Sequence, residues 1–168
     1  MIPHERSLVK KMQGKPFALL GVNTDDNLNK IKPQLQKDIT WRSWYDGSGG
    51  PITKQYQVRS FPTIFVLDAK GIIRYKNVRN EAMDSAVETL IKELEKSGGG
   101  TASADDKPGD KGSDEKPGSG GGSNASAPIG FEVGNRAPEI TGKDTTGKTF
   151  KLSEYKGKVV VLDFWGFW

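Results

Sequence analysis

The chain has 168 residues, 25 Lys and Arg against 21 Asp and Glu, no cysteine and one histidine, His4, for a formal net charge of +4. Without cysteine, disulfides, thiolate metal sites and thiol catalysis are excluded within this sequence. One histidine is too few for a histidine-based metal site or a Ser-His-Asp triad, so no cofactor and no metal are expected. The basic residues are scattered and not striped on one face, which argues against a nucleic-acid partner. No run approaches the 18 apolar residues of a membrane span, and the first sixteen residues are too charged to hold a signal-peptide core.

In chain order, Ile2, Leu8, Val9 and Met12 with charges between them predict an amphipathic helix over 2–13, with Pro3 in its first turn. Gly14-Lys15-Pro16 ends it. Phe17–Asn23 is a short, nearly continuous apolar run, as expected of a strand buried on both faces of a parallel sheet. Thr24 or Asp25 can cap a second helix over 26–36, made irregular by Pro33. Residues 41–44 read as a short extended piece, 47–50 as a loop, and 51–56 as a short helix begun by Pro51. Trp41, Trp44 and Tyr45 form an aromatic cluster that reads as packing, not as a base-stacking platform. Residues 63–67 and 72–76 are strands joined by the turn 68–71, hence antiparallel. The clearest helix is 82–96, with Ala82, Met83, Ala86, Val87, Leu90, Ile91 and Leu94 on one face.

Residues 97–130 hold 10 of the 21 glycines, one large apolar residue (Ile129), and five acids against three lysines. Such a stretch cannot bury enough surface to fold and reads as a flexible linker, with a span of roughly 30 Å. After it come a turn at Asp144-Thr145-Thr146-Gly147, a hairpin and short helical turn around Phe150, Leu152 and Tyr155, and the apolar strand 159–164. The chain divides into 1–96, the linker 97–130, and 131–168 as two parts of one domain. Rotating the order at the linker puts the strand 159–164 before the helix 2–13 and the strand Phe17–Asn23. That makes a βαβ unit, which needs a strand ahead of its crossover helix.

In the rotated order, Gly134-Asn135-Arg136-Ala137-Pro138-Glu139, Gly147-Lys148, Leu152 and Lys156-Gly157-Lys158-Val159-Val160-Val161-Leu162-Asp163-Phe164-Trp165 resemble the start of a TlpA/ResA-like (AhpC/TSA, redoxin) thioredoxin-fold domain. Ile2-Pro3-His4-Glu5-Arg6-Ser7-Leu8-Val9 resembles its active-site helix, with Pro3 at the kink position. Phe61-Pro62-Thr63 resembles the cis-proline loop. The resemblance implies an α/β, thioredoxin-like fold, a central mixed β-sheet flanked by helices, with the β-hairpin extension placed after the linker. It also implies descent from a thiol-disulfide oxidoreductase, a family that usually works outside the cytoplasm. The family's Cys-x-x-Cys, which follows the tryptophan-bearing strand, would fall between Trp168 and Met1 and is absent.

The resemblance carries no catalytic residue over, only the surroundings of a site. Asp163 matches the buried acid beneath the family's active site, where a raised pKa is expected; the alternative is a solvated acid at a strand end. Trp165 and Trp168 would flank the missing motif, Trp165 packed and Trp168 exposed. Phe61, Pro62 and Thr63 would present backbone to an extended peptide, with Pro62 cis. Pro3 would stand on the opposite lip. His4 reads as a surface histidine. Ser123-Asn124-Ala125 resembles the scar of a removed tag, which suggests deliberate permutation. The expectation is therefore an engineered circular permutant, redox-dead and monomeric, with at most weak peptide docking at the Pro62 loop and no nucleic-acid or membrane partner. Two alternatives are a domain-swapped assembly module and a split oxidoreductase completed by a cysteine-bearing peptide.

Overall fold

The computed structural model describes residues 2–97 and 127–167. Met1, Trp168 and the segment 98–126, most of the expected linker, lie outside the described residues. The elements are α1 (Ile2–Lys11), β1 (Phe17–Asn23), α2 (Leu28–Asp38), β2 (Arg42–Tyr45), α3 (Pro51–Gln55), β3 (Thr63–Leu67), β4 (Ile73–Lys76), α4 (Glu81–Lys96), β5 (Thr141–Lys143), β6 (Thr149–Lys151), a 3-10 turn (Leu152–Tyr155) and β7 (Val159–Trp165).

A five-stranded mixed sheet runs β2-β1-β7-β3-β4, and β5 and β6 form a separate two-stranded ribbon. The last strand in sequence therefore occupies the centre of the sheet. β7 pairs in parallel with β1 from Phe17↔Val159 to Asn23↔Trp165, and antiparallel with β3 from Thr63↔Phe164 to Leu67↔Val160. β2 extends the parallel side and β4 the antiparallel side. With both edges paired, all seven residues of β7 are buried, which is why this stretch reads as a nearly unbroken apolar run and not as an alternation.

The period-2 geometry of the strands sorts their side chains onto two faces. Val159 and Val161 join Leu19, Ile64 and Val66 beneath α1 and α4, where Leu8, Met12, Met83, Val87, Leu90 and Ile91 close the layer. Val160, Leu162 and Phe164 join Leu20, Val22, Phe65 and Leu67 on the other face, covered by Ile52 and Tyr56 of the α3 region, by Phe150 of the ribbon and by Ile140 and Leu152 that flank it. The architecture is α/β, a mixed sheet with helices on its faces, and thioredoxin-like.

Several sequence expectations shift. The first helix ends at Lys11, two residues early, and Met12 and Gln13 turn. The second helix is capped by Asn27, whose side chain accepts from the amides of Asn29 and Lys30. Thr24 and Asp25 do not cap it, because both are drawn into contacts with the end of β7. The extended piece at 41–44 is a strand of the main sheet over Arg42–Tyr45, paired in parallel with β1. Trp41 and Trp44 do not cluster: they pack on opposite faces of the sheet. Residues 128–130, expected to belong to a flexible linker, are tethered to the fold. Arg136 donates to the Pro128 carbonyl (2.8 Å), Gly130 donates to the Arg136 carbonyl (3.1 Å), and Ile129 bridges Arg136.

Trp44 joins the ribbon to the sheet. Its indole is fully buried, stacks on Phe150 at 4.1 Å with rings 6° from parallel, and donates Nε1–H to the Phe150 carbonyl at 3.2 Å. Asp144 holds the ribbon's turn. It accepts from the Thr146 and Lys148 amides, the Thr146 hydroxyl and Arg42. Burial pushes its carboxyl up, but these hydrogen bonds outweigh burial and hold it down at about 2. Replacing Trp44 by Ala removes both stack and hydrogen bond, and is expected to cost about 3–5 kcal/mol in urea unfolding. A loss below about 1 kcal/mol would show that the ribbon docks without it.

Candidate functional site

The carboxyl ends of the parallel strands β1 and β7 open onto a cleft lined by Ile2, Pro3, Glu5, Pro62, Asp163, Trp165 and Gly166. Four of the sequence-predicted positions, Pro3, Pro62, Asp163 and Trp165, meet in this one place. Each arrives from a different direction. Pro3 comes from the first turn of α1, Pro62 from the loop before β3, and Asp163 and Trp165 from the same face of β7. Trp168 lies outside the described residues.

The loop is built to expose its apex. The Phe61–Pro62 peptide bond is cis. The Thr63 hydroxyl donates to the Ser60 carbonyl at 2.6 Å, closing the turn, and Arg79 donates to the Pro62 carbonyl at 3.0 Å. Phe61 remains 37% exposed, one of the few large apolar side chains among the described residues to do so. Thr63 is buried and begins β3, pairing with Phe164 of the central strand.

Asp163 sits in mid-sheet, between Gly21 of β1 and Ile64 of β3, and is 1% exposed. Gly21 is required by close approach: a Cβ there would lie 2.2 Å from the Ser43 hydroxyl and 2.5 Å from Trp165 Nε1. The missing side chain leaves room for the Trp165 indole, which packs on Ile31 and Leu35 of α2 and meets Phe167 edge-on at 5.1 Å. Trp165 is thus a packed residue, 4% exposed.

Glu5 is the residue that sequence reasoning missed. It is 1% exposed and faces the same cleft as Asp163. Its position was readable, since 2, 5, 8 and 12 form one helical stripe and Glu5 fills the slot where an apolar residue belongs. No N–H or hydroxyl among the described residues donates to either carboxylate oxygen of Glu5 or to Oδ1 of Asp163, so the two carboxyls have each other as hydrogen-bond partner once one of them is protonated. Burial, first, and the neighbouring Glu5 carboxyl, second, push Asp163 well above the usual carboxylate range. Burial likewise pushes Glu5 up. Two buried carboxyls side by side cannot both ionise cheaply, so the pair retains a proton above the pH at which an exposed acid loses it.

The strand end is latched as well as packed. The Trp165 carbonyl accepts from the Thr24 amide (2.9 Å) and hydroxyl (3.1 Å), and both Asp25 oxygens accept from the Phe167 amide at 3.1 Å. Asn23 donates to Asp25 at 2.7 Å and orients it. His4, read as a free surface residue, is half-buried and pairs with Asp84 of α4 at 2.9 Å. Its partner is 80 residues away in sequence, which no local pattern could signal.

Residues 133–168, which contain the ribbon and β7, match the AhpC/TSA family. The thiol-disulfide oxidoreductase ResA of Bacillus thuringiensis subsp. konkukian (strain 97-27) is 46% identical over 38 residues, 23% of this chain and 22% of that protein. ResA of Bacillus subtilis (strain 168) is 51% identical over 35 residues, 21% of this chain and 20% of that protein. The chain therefore spans about a fifth of the length of the curated relatives it matches. No solved structure matches the chain.

The carboxyl pair fixes the sign of a pH dependence. Both folded-state pKa values are raised, so this contribution to stability is complete below about pH 4, the unfolded carboxylate range, and is lost as pH rises through the folded values. Asp163→Asn cannot ionise. It is expected to raise the melting temperature by a few degrees at pH 8, with the gain shrinking toward pH 4, in thermal unfolding followed across that range. A gain that is constant with pH, or a loss greatest at pH 8, would contradict the assignment.

Proposed function

We propose, on the premise that the AhpC/TSA segment 133–168 makes this chain a thioredoxin-fold redoxin, that it is a circularly permuted redoxin domain. In this reading the chain keeps the family's peptide-docking cleft without its thiol chemistry. The observation that carries it is the convergence of Pro62, Trp165 and buried Asp163 on one cleft, at the end of a central strand that comes last in sequence.

The permuted order is supported by β7 lying between β1 and β3 and parallel to β1. Reading β7, then α1, then β1 gives the strand-helix-strand order of a parallel crossover unit. The Gly-rich segment and its Ser123-Asn124-Ala125 tripeptide support deliberate joining. Thiol-disulfide exchange proceeds by thiolate attack on a disulfide through a mixed disulfide. These 168 residues hold no cysteine, and no other side chain in them can make that bond. What the cleft can do is offer backbone at Phe61–Thr63 to an extended peptide, with Trp165 and Pro3 forming apolar walls.

Two readouts test the reading. In an insulin-reduction assay the chain should add nothing to the rate given by dithiothreitol alone. In an NMR titration a short extended peptide should shift the amides of Phe61, Thr63 and Trp165, with weak affinity. Turnover above background would overturn the redox-inert assignment. Peptide shifts confined to other regions, or none at millimolar peptide, would overturn the docking assignment.

A further inference from the structure

At the opposite end of the central strand a second concavity opens on the other face of the sheet. It encloses about 220 Å³. Its floor is apolar: Leu67 from the end of β3, Val160 from the start of β7, and Leu152 of the 3-10 turn, all buried. Ile129 stands at its lip, 61% exposed, a large apolar side chain presented to water beside an apolar groove.

The rim is cationic. Lys70, Arg136, Lys156 and Lys158 all line the opening, and none of the four has a carboxylate partner among the described residues. The Lys158 ammonium lies over the Tyr155 ring, at 5.9 Å. The two acids that also line the groove are already engaged. Asp68 accepts from the Lys70 and Ile72 amides and pairs with Arg74, and Glu139 accepts from the Ile140 and Ser153 amides. Four cations thus face two carboxylates in the lining, one of them shared with Arg74, and the groove keeps a net positive charge. An apolar floor with a few convergent charged groups is the usual makeup of a small-molecule site.

We propose that this groove binds a small amphiphilic anion, a medium-chain carboxylate, with its chain on Leu67, Leu152 and Val160 and its head among the rim lysines. The site is independent of the Pro62 cleft. Rim cations attract the head group, and the buried chain supplies the apolar contact that distinguishes it from a simple anion.

The probe is octanoate, titrated below its micelle concentration into the full chain and followed by amide NMR. Saturable shifts are expected at Leu67, Ala137, Leu152 and Val160, with Trp165 and Thr63 unmoved. Octanamide, which keeps the chain and loses the charge, should bind about tenfold more weakly or worse. The exposed double variant Lys156→Glu, Lys158→Glu should keep the parent's melting temperature and lose about tenfold in octanoate affinity. Equal binding of octanamide, undiminished binding by the double variant, shifts at the Pro62 cleft instead, or no saturable shift at all would each overturn the proposal.

Discussion

The structure depends on the insertion of β7 between β1 and β3. Those two strands have no direct pairing with each other, so without β7 the sheet separates into a β2-β1 pair and a β3-β4 hairpin. β7 supplies the middle of both hydrophobic layers, with Val159 and Val161 on one side and Val160, Leu162 and Phe164 on the other. A fully buried Val, Leu or Phe contributes about 1.5–3 kcal/mol, so the cooperativity of the domain runs through this strand. Its partners lie at the far end of the sequence, which raises contact order and slows folding relative to a locally connected sheet.

The same insertion creates the cleft. Asp163 is carried into the interior because its strand is central, and Trp165 finds space because Gly21 has no side chain. α1 then lays Glu5 over the strand. An acid in a sheet interior is costly to ionise, and a second one beside it makes ionising both costlier still. Such local conflicts concentrate at sites where chemistry, present or ancestral, mattered more than stability. Here the surrounding apolar layers sustain it, and the Thr24 and Asp25 latch fixes the strand end against which the pair is held.

The strands β1, β3 and β7 and the helix α4 were legible because an apolar run or a 3.6-residue stripe is a local property. The cleft was legible in part, since Asp163 breaks an apolar strand and Pro62 precedes one. What escaped was set by partners distant in sequence. Thr24 and Asp25 both suit a helix cap by residue type, but contacts with Trp165 and Phe167 hold them elsewhere and the cap is Asn27. Trp41 and Trp44 read as one cluster until the strand's alternation divides them between faces. Residues 128–130 have linker composition, but the backbone of Arg136 holds them. Glu5 was hidden by its own charge, which reads as surface although its helical position reads as core.

Native-state hydrogen exchange, measured amide by amide at several protein concentrations, addresses the central strand most directly. The account predicts that amides of Val159–Trp165 and Phe17–Asn23 open only with global unfolding, share one opening free energy, and do so independently of concentration. Early exchange of β7 while β1 and β3 remain protected would contradict it. So would protection of β7 that appears only at high concentration, which would mean the strand is borrowed from a second copy.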